Sequence, residues 1–252
     1  MIALPNPYQL LHLETVDSTN EEAKRMAARG ELQPHWIVAD AQTAGRGRRG
    51  RAWQSPKGNL MTTVYLPSRI ETVKAGQLSF VAGLALAETV DTLVGADVSV
   101  AIKWPNDVLV GGAKISGILL ESGAGAEAHL DWVCVGMGLN LAYHPDDTPY
   151  PATSIRACTG RAPVHLDVLE LLAAAFDRYF QQWQKFGFSV IVNKWRKLAY
   201  NLGNEIIVRL EKAELTGVFE DIDETGALML RADDGQRHIV SAGDVYFQSV
   251  VR

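Results

Sequence analysis

The sequence predicts an α+β protein in which a mixed, largely antiparallel sheet flanked by helices precedes a small C-terminal β-barrel. Three strand-like segments follow one another between residues 108 and 135 without a helix, which argues against a doubly wound chain. Two long segments carry apolar residues on one helical face, which indicates helices packed on a sheet. From residue 203, short strands recur at a spacing of about ten residues, as in small barrels. We therefore expect one domain at 1–202 and a second at 203–252.

Hydrophobic periodicity and turn residues place the elements of this fold. Gly111-Gly112 is a favoured two-residue turn, so its flanking strands should form a hairpin. Ser18 and Glu21 have the spacing of a capping box, which would by itself explain a serine at this helix start. Predicted strands lie at 10–16, 35–40, 60–66, 98–102, 108–110, 113–121, 129–135, 204–210, 215–219, 227–230 and 238–240. Predicted helices lie at 23–29, 75–93, 166–183 and 190–198.

The composition is that of an ordinary soluble globular protein, with 47% apolar and 21% charged residues. A formal net charge of −5 argues against a general nucleic-acid binder. Cys134 and Cys158 form neither a disulfide framework nor a metal-ligand spacing. The start of the sequence lacks a secretory signal, and the apolar stretch 78–94 is interrupted by Glu88 and Asp91. We therefore expect a cytoplasmic protein with no membrane partner.

One segment, at 44–60, departs from this overall acidity. No acidic residue occurs between Asp40 and Glu71, yet six cationic side chains do. Glycines at 45, 47 and 50 alternate with the arginines and allow the backbone to turn tightly. The cations are Arg46, Arg48, Arg49, Arg51, Lys57 and Arg69.

Three interpretations of this arginine loop (residues 44–60) remain. A solvated charged loop would not need Trp53, Pro56 or so many glycines. RNA-binding arginine–glycine segments are usually longer and repetitive, whereas this one is short and lies between two predicted strands. We favour an anion clamp for phosphate, carboxylate or both, because guanidinium groups bind these anions in bidentate geometry.

Two further polar groups follow the predicted strand at 98–102. Pro105 disfavours helix for the residue before it, so the strand should end there and present Asn106 and Asp107 at its edge. A simple Asn-Asp turn is the alternative. Lys103 and Lys114 could each be ordinary solvated lysines. Taken singly, these residues do not define a site.

Taken together and in order, the motifs resemble those of biotin protein ligases over roughly residues 15–141. The resemblance implies a class II aminoacyl-tRNA synthetase-like fold, also called the biotin–lipoyl ligase fold, with an SH3-like C-terminal barrel. Residues 1–9 leave no space for the helix-turn-helix of bifunctional members, so a monofunctional ligase without a DNA partner is expected. The motifs are Asp17-Ser-Thr-Asn20, Gln42, Gly45-Arg-Gly-Arg-Arg-Gly-Arg-Ala-Trp-Gln-Ser-Pro56, Lys103-Trp-Pro-Asn-Asp107, Lys114-Ile-Ser-Gly-Ile-Leu-Leu-Glu121 and Gly136-Met-Gly-Leu-Asn140.

The resemblance implies a two-step reaction. Biotin is joined to ATP as biotinyl-5′-AMP, and a lysine of a biotin carboxyl carrier protein of a carboxylase then takes the biotin. Mg²⁺ is expected with ATP, carried mainly by phosphates and water, so no metal-binding residues are predicted. A homodimer is an open alternative for the oligomeric state.

The resemblance also implies roles for individual residues. It assigns catalysis to Arg46, Arg48, Lys114 and Asp107. It assigns biotin binding to Ser18, Thr19, Asn20, Gln42, Arg46, Gly47, Arg48, Lys114 and Gly117. It assigns ATP or adenylate binding to Arg48, Arg51, Trp53, Lys103, Asn106 and Asn140. Two other functions stay open: a lipoate or octanoate ligase-type acyltransferase, and a non-catalytic sensor of biotin or nucleotide.

Overall fold

A computed structural model describes residues 2–67, 69–125, 128–148, 150–210, 213–241 and 243–246. The chain forms two sheets and five α-helices within this part. The first sheet contains β1 (Gln9–Val16), β2 (His35–Gln42), β3 (Leu60–Leu66), β4 (Ile70–Glu71), β5 (Val100–Lys103), β6 (Asp107–Val110), β7 (Ala113–Ala124) and β8 (His129–Leu139). The helices are α1 (Thr19–Ala28), α2 (Leu78–Val94), α3 (Ile155–Thr159), α4 (His165–Phe186) and α5 (Phe188–Leu198).

The first sheet has the strand order β1-β2-β3-β8-β7-β6-β5, with β4 paired to β8. β1 and β2 run parallel because α1 connects them, and the other pairs are antiparallel. The predicted mixed, largely antiparallel sheet is therefore confirmed. Strand β8 is longer than predicted, since Gly136 and Gly138 continue its pairing with β3 and β7.

Helices cover both faces of this sheet. On one face α2, α4 and α5 form the main core, where Trp36 packs edge-on against Phe176 with ring centroids 5.6 Å apart. On the other face α1 lies over a smaller cluster that includes Ile37, Tyr65 and Cys134. Burial raises the pKa of the Cys134 thiol to about 12, as expected of an inert core cysteine. The two clusters hold the sheet rigid between the helices.

Helix α2 is more apolar than the other helices because it is buried on nearly all sides. A 3-10 segment, Thr72–Gln77, precedes it, so the helical stretch Thr72–Val94 is longer than the sequence predicted. By length and composition alone this stretch could cross a membrane, and 67% of its most apolar window is buried inside the fold. Glu88 and Asp91 lie on its exposed side.

The second sheet is antiparallel, with the order β12-β11-β10-β9-β13. Its apolar side chains join the main core, and Phe219 lies 6.5 Å from Trp195 of α5, centroid to centroid. Its strands are β9 (Glu205–Arg209), β10 (Glu214–Ile222), β11 (Leu228–Arg231), β12 (Arg237–Val240) and β13 (Asp244–Tyr246). Closure of this sheet into a barrel remains a prediction.

Candidate functional site

A cleft of about 360 Å³ opens between the arginine loop, the start of α1 and the surface of β7 and β8. This volume lies in the range of pockets for small molecules and cofactors. Most of the predicted site residues line it: Ser18, Thr19, Asn20, Gln42, Arg46, Gly47, Arg48, Arg51, Trp53, Asn106, Asp107, Lys114, Gly117 and Asn140.

The arginine loop is an ordered hairpin that folds back on itself. The Trp53 amide donates to the Gly45 carbonyl at 2.9 Å, and the Gly47 amide donates to the Arg51 carbonyl at 2.7 Å. A Cβ atom on Gly45 would lie 2.6 Å from the Trp53 carbonyl oxygen, so only glycine fits there. Arg49 adopts a left-handed φ of 56° at the tip. Close packing therefore explains the glycine at position 45.

Three arginines of the loop converge on one carboxylate of the second sheet, Asp244. Arg49 Nη1 lies 3.2 Å and Arg48 Nη1 lies 3.9 Å from its oxygens, and Arg51 forms a third ion pair with it. Arg48 also donates to the Gly243 carbonyl at 3.2 Å. Burial lowers the pKa of Arg48, because it disfavours the charged form. The loop is thus a strongly cationic wall that the second sheet holds in place.

Arg46 points to the opposite side of the cleft. Its guanidinium pairs with Glu21 of α1, and Glu21 accepts from Lys24 at 2.8 Å. Lys24 Nζ in turn lies 2.6 Å from Glu121 of β7. Glu121 also accepts a hydrogen bond from the side-chain Nδ2 of Asn20 at 2.8 Å. This chain of charges connects the arginine loop to the start of α1.

The start of α1 forms a polar corner of amides and hydroxyls. The Thr19 amide donates to Gln42 Oε1 at 2.7 Å. Thr63 Oγ1 lies 2.7 Å from both Thr19 Oγ1 and Asn20 Oδ1. A Cβ atom on Gly136 would lie 2.3 Å from Asn20 Oδ1, so that glycine makes room for the asparagine. Such a corner can donate to and accept from a neutral polar head group.

Ser18 corrects the capping-box interpretation of this helix start. It occupies the N-cap position with extended backbone angles, but its side chain makes no capping hydrogen bond. Glu21, the expected partner, pairs with Arg46 and Lys24 instead. The buried hydroxyl therefore lines the cleft without serving the helix.

The floor of the cleft is a pair of glycines on adjacent strands. Gly117 of β7 lies directly opposite Gly138 of β8, and the indole of Trp53 lies over both. A Cβ atom on Gly138 would lie 2.4 Å from Trp53 Nε1, and one on Gly117 would lie 3.2 Å from the indole. The missing side chains create a flat slot for an aromatic ring.

Lys114 and Asp107 form an ion pair beside this floor. Lys114 Nζ lies 2.6 Å from Asp107 Oδ1 and 5.5 Å from the centre of the Trp53 ring. The Asp107 oxygen of this pair is buried. Lys114 therefore presents a positive charge to the cleft and keeps its counter-ion close by.

Lys103 is the predicted site residue that does not line the cleft. It lies directly opposite Asp107 in the β5–β6 ladder, and its side chain is buried. Its Nζ lies 4.4 Å from the centre of the Tyr150 ring. Burial lowers the pKa of Lys103, partly offset by Asp107. The alternative of a solvent-exposed surface lysine is therefore wrong, and Lys103 supports the site from behind Asp107.

The two predicted asparagines are held by backbone groups. The Asn106 side-chain Nδ2 donates to the Ile118 carbonyl at 2.7 Å, and its Oδ1 lies 3.4 Å from Arg48 Nη1. The Asn140 side-chain Nδ2 donates to the Thr153 carbonyl at 3.0 Å. Both side chains are thereby fixed in orientation at the edge of the cleft.

Comparison with known proteins agrees with this geometry. Residues 13–140 match the biotin/lipoate A/B protein ligase family, and residues 202–248 match the biotin protein ligase C-terminal domain. The chain is 44% identical over 240 residues to a biotin--[acetyl-CoA-carboxylase] ligase of Paracoccus denitrificans, covering 93% of this chain and 99% of that protein. The chain belongs to the biotin protein ligase family.

Solved structures of biotin protein ligases share the fold. The Aquifex aeolicus biotin protein ligase, in complex with biotin and ATP, superposes with a TM-score of 0.80 at 28% identity, covering 94% of this chain and 97% of that one. The Leishmania major biotin protein ligase, in complex with biotinyl-5-AMP, gives a TM-score of 0.67 at 28% identity, covering 94% of this chain and 100% of that one.

Sequence reasoning missed several residues of this ligase cleft. Asp244 lies 193 residues from Arg51 along the chain, and only the tertiary fold brings the two together. In the sequence, Asp244 is visible only as one acidic residue that follows a glycine. Five residues before α3 also border the cleft: Pro145, Asp147, Thr148, Tyr150 and Ala152.

The charge cluster at Asp244 gives a testable prediction about stability. Asp244→Asn is expected to lower the free energy of unfolding by about 1–3 kcal/mol, because three guanidinium groups lose their counter-ion. Urea denaturation measures this change. Asp233→Asn, at an exposed turn of the same sheet region, serves as the control and should have little effect. Equal stability of the two variants would show that the cluster does not hold the loop.

Proposed function

We propose that this chain is an ATP-dependent biotin protein ligase that makes biotinyl-5′-AMP and transfers biotin to a lysine of a biotin carboxyl carrier protein. The observation that carries the proposal is the meeting, in one cleft, of a cationic wall and a neutral polar corner. Arg48, Arg51 and Lys114 supply charge, while Thr19 and Gln42 supply hydrogen-bonding groups. Biotin has a carboxylate at one end and a ureido group at the other. One biotin molecule can therefore contact the cationic wall with its carboxylate and the polar corner with its ureido group.

In the first step a biotin carboxylate oxygen attacks the α-phosphorus of ATP. The new bond is O–P, the bond to the β-phosphate oxygen breaks, and pyrophosphate leaves with the electron pair. Both reactants are anions, so their repulsion must be neutralised before they meet. Lys114 and Arg48 line the same cleft and would do this as preorganised charges.

Mg²⁺ belongs to this proposal as the companion of ATP. The cleft contains oxygen donors of the kind Mg²⁺ prefers, the carboxylates of Asp107 and Asp147, and Asp107 Oδ1 also lies 2.6 Å from Lys114 Nζ. Asp147, the cleft carboxylate outside the ion pairs of Lys114 and the arginine loop, would face the ion or its water shell. When bound, the ion would supply further positive charge to the phosphates.

In the second step the neutral amine of a carrier lysine attacks the acyl carbon of the mixed anhydride. An amide bond forms, the C–O bond to the phosphate breaks, and AMP leaves while the amine loses a proton. Asp107 would hold the incoming amine and accept this proton. The arginine loop would meanwhile keep water from the anhydride.

We also propose that the chain works in the cytoplasm and divides into a catalytic domain at 1–202 and a C-terminal domain at 203–252. The match of residues 202–248 to a separate family domain supports this boundary. The second sheet would then contribute Asp244 to the cleft of the first domain.

Biotin-dependent exchange of ³²P between pyrophosphate and ATP tests the adenylation step. The purified chain should catalyse exchange with biotin and not with lipoate, because the C-terminal domain match is to biotin ligases. Adding a biotin carboxyl carrier domain should then give a biotinylated carrier. A folded protein that exchanges only with lipoate would support the acyltransferase alternative, and one that binds biotin without exchange would support a sensor.

A further inference from the structure

A second polar cluster lies outside the cleft and joins three different elements. His12 is on β1, Asp40 is on β2, and His165 is the first residue of α4. His12 Nε2 lies 2.7 Å and His165 Nε2 lies 3.1 Å from the same oxygen, Asp40 Oδ1. The possible metal-binding atoms of these three side chains all lie within 4.8 Å of one another. Among the described residues, no other group of three or more His, Cys, Asp or Glu side chains comes this close together.

The fold itself brings these side chains together. His12 pairs with Val38 in the β1–β2 ladder, and Asp40 lies two residues further along, so the two point to the same face. Helix α4 packs on the face where Trp36 meets Phe176. Its first residue, His165, therefore reaches the corner where β1 and β2 run side by side.

Hydrogen bonding alone does not account for the arrangement. His12 Nε2 and Asp40 Oδ1 form a hydrogen bond, so the buried His165 Nε2, at 3.1 Å, meets an oxygen that already has a partner. A buried polar atom with incomplete hydrogen bonding lowers the stability of the fold. A third species between the rings and the carboxylate would satisfy this nitrogen.

We propose that His12, Asp40 and His165 bind a divalent transition metal ion, with Zn²⁺ the best match. Two imidazole nitrogens and one carboxylate oxygen are borderline ligands that suit zinc better than Mg²⁺ or Ca²⁺. Tetrahedral coordination at about 2.0–2.1 Å separates ligand atoms by about 3.3 Å. The observed separations of 2.7 and 3.1 Å require only small side-chain movements. Water would complete the coordination.

The consequence of metal binding would be structural. The ion would fasten β1, which is at the edge of the first sheet, to β2 and to the start of α4. His12, Asp40 and His165 do not line the cleft, so the site is independent of the ligase reaction proposed above. It follows that metal binding should change stability more than catalysis.

Metal titration of the full chain without an affinity tag tests this proposal. The protein is first stripped with a chelator, and Zn²⁺ binding is then measured by calorimetry. Co²⁺ serves as a spectroscopic probe, because its visible bands report nitrogen ligands and coordination number. At Zn²⁺ about 100-fold above the dissociation constant, the melting temperature should rise by several degrees.

His165→Ala and His12→Ala should each weaken Zn²⁺ binding at least about tenfold, since even outer-shell partners contribute 10- to 100-fold to metal affinity. The matched control is His144→Ala. His144 lies 3.9 Å from Asp146 but has no second histidine beside it. One zinc per chain, lost in both cluster variants and kept in the control, supports the site. Unchanged zinc binding in the cluster variants, or no binding by the parent chain, overturns it.

Discussion

Replacing Lys114 by alanine is expected to reduce biotin-dependent pyrophosphate exchange by about 10²- to 10³-fold, the usual effect of removing one preorganised charge from a reaction centre. The lysine is half-buried beside Asp107 and lines the cleft. Its loss removes the neutralising charge and leaves Asp107 to repel both anions. Exchange kinetics at saturating biotin and ATP measure the effect.

The control for this variant is Lys74→Ala. Lys74 also pairs with a carboxylate at 2.6 Å, that of Glu71, but both side chains are exposed and lie outside the cleft. Thermal unfolding should show similar stability for the two variants, while only Lys114→Ala loses exchange. A parallel fall of melting temperature and activity in Lys114→Ala would mean that the lysine is structural.

Arg48→Gly is expected to release the proposed biotinyl-5′-AMP intermediate from the cleft. Arg48 contacts Asn106, Gly243 and Asp244, so it connects the arginine loop to both sheets. The variant loses the charge-assisted hydrogen bonds of Arg48, which contribute about 1.5–3 kcal/mol. This loss corresponds to a rate of release of the intermediate that is roughly 10- to 100-fold higher. Free adenylate acylates exposed lysines, so biotin should appear on bystander proteins such as serum albumin.

Arg69→Gly is the matched control, because Arg69 is an exposed arginine from the same acid-free stretch and does not line the cleft. Streptavidin blots of a mixture with albumin compare the variants at equal carrier biotinylation. If Arg48→Gly labels albumin no more than the control does, the arginine loop does not retain the intermediate.

Local patterns predicted the elements of this fold well. The Gly111-Gly112 turn fixed the β6–β7 hairpin, and the strand at 60–66 has the predicted bounds. Short elements were missed: β4, α3 and β13 have five residues or fewer, too few to show a period. Strand order depends on long-range pairing, such as that of β3 with β8, which no local pattern encodes.

The site was predictable where its residues are consecutive and not where distant segments meet. The arginine loop was apparent from its charge, and its predicted neighbours proved to line one cleft. Asp244 and the His12, Asp40 and His165 cluster were not apparent, because each requires elements far apart in the chain. Lys103 could not be classed as buried or solvated from sequence, since its position depends on pairing with Asp107.

The slot formed by Gly117 and Gly138 places Trp53 where its fluorescence can report ligand binding in the cleft. The chain has six tryptophans, and within its described part Trp53 is the one that lines the cleft. Its indole lies over the two glycines with Lys114 Nζ 5.5 Å from the ring centre, so any ligand entering the cleft changes its surroundings. Ligand binding should therefore alter the intrinsic fluorescence of the protein, and a Trp53→Phe variant should lose that signal.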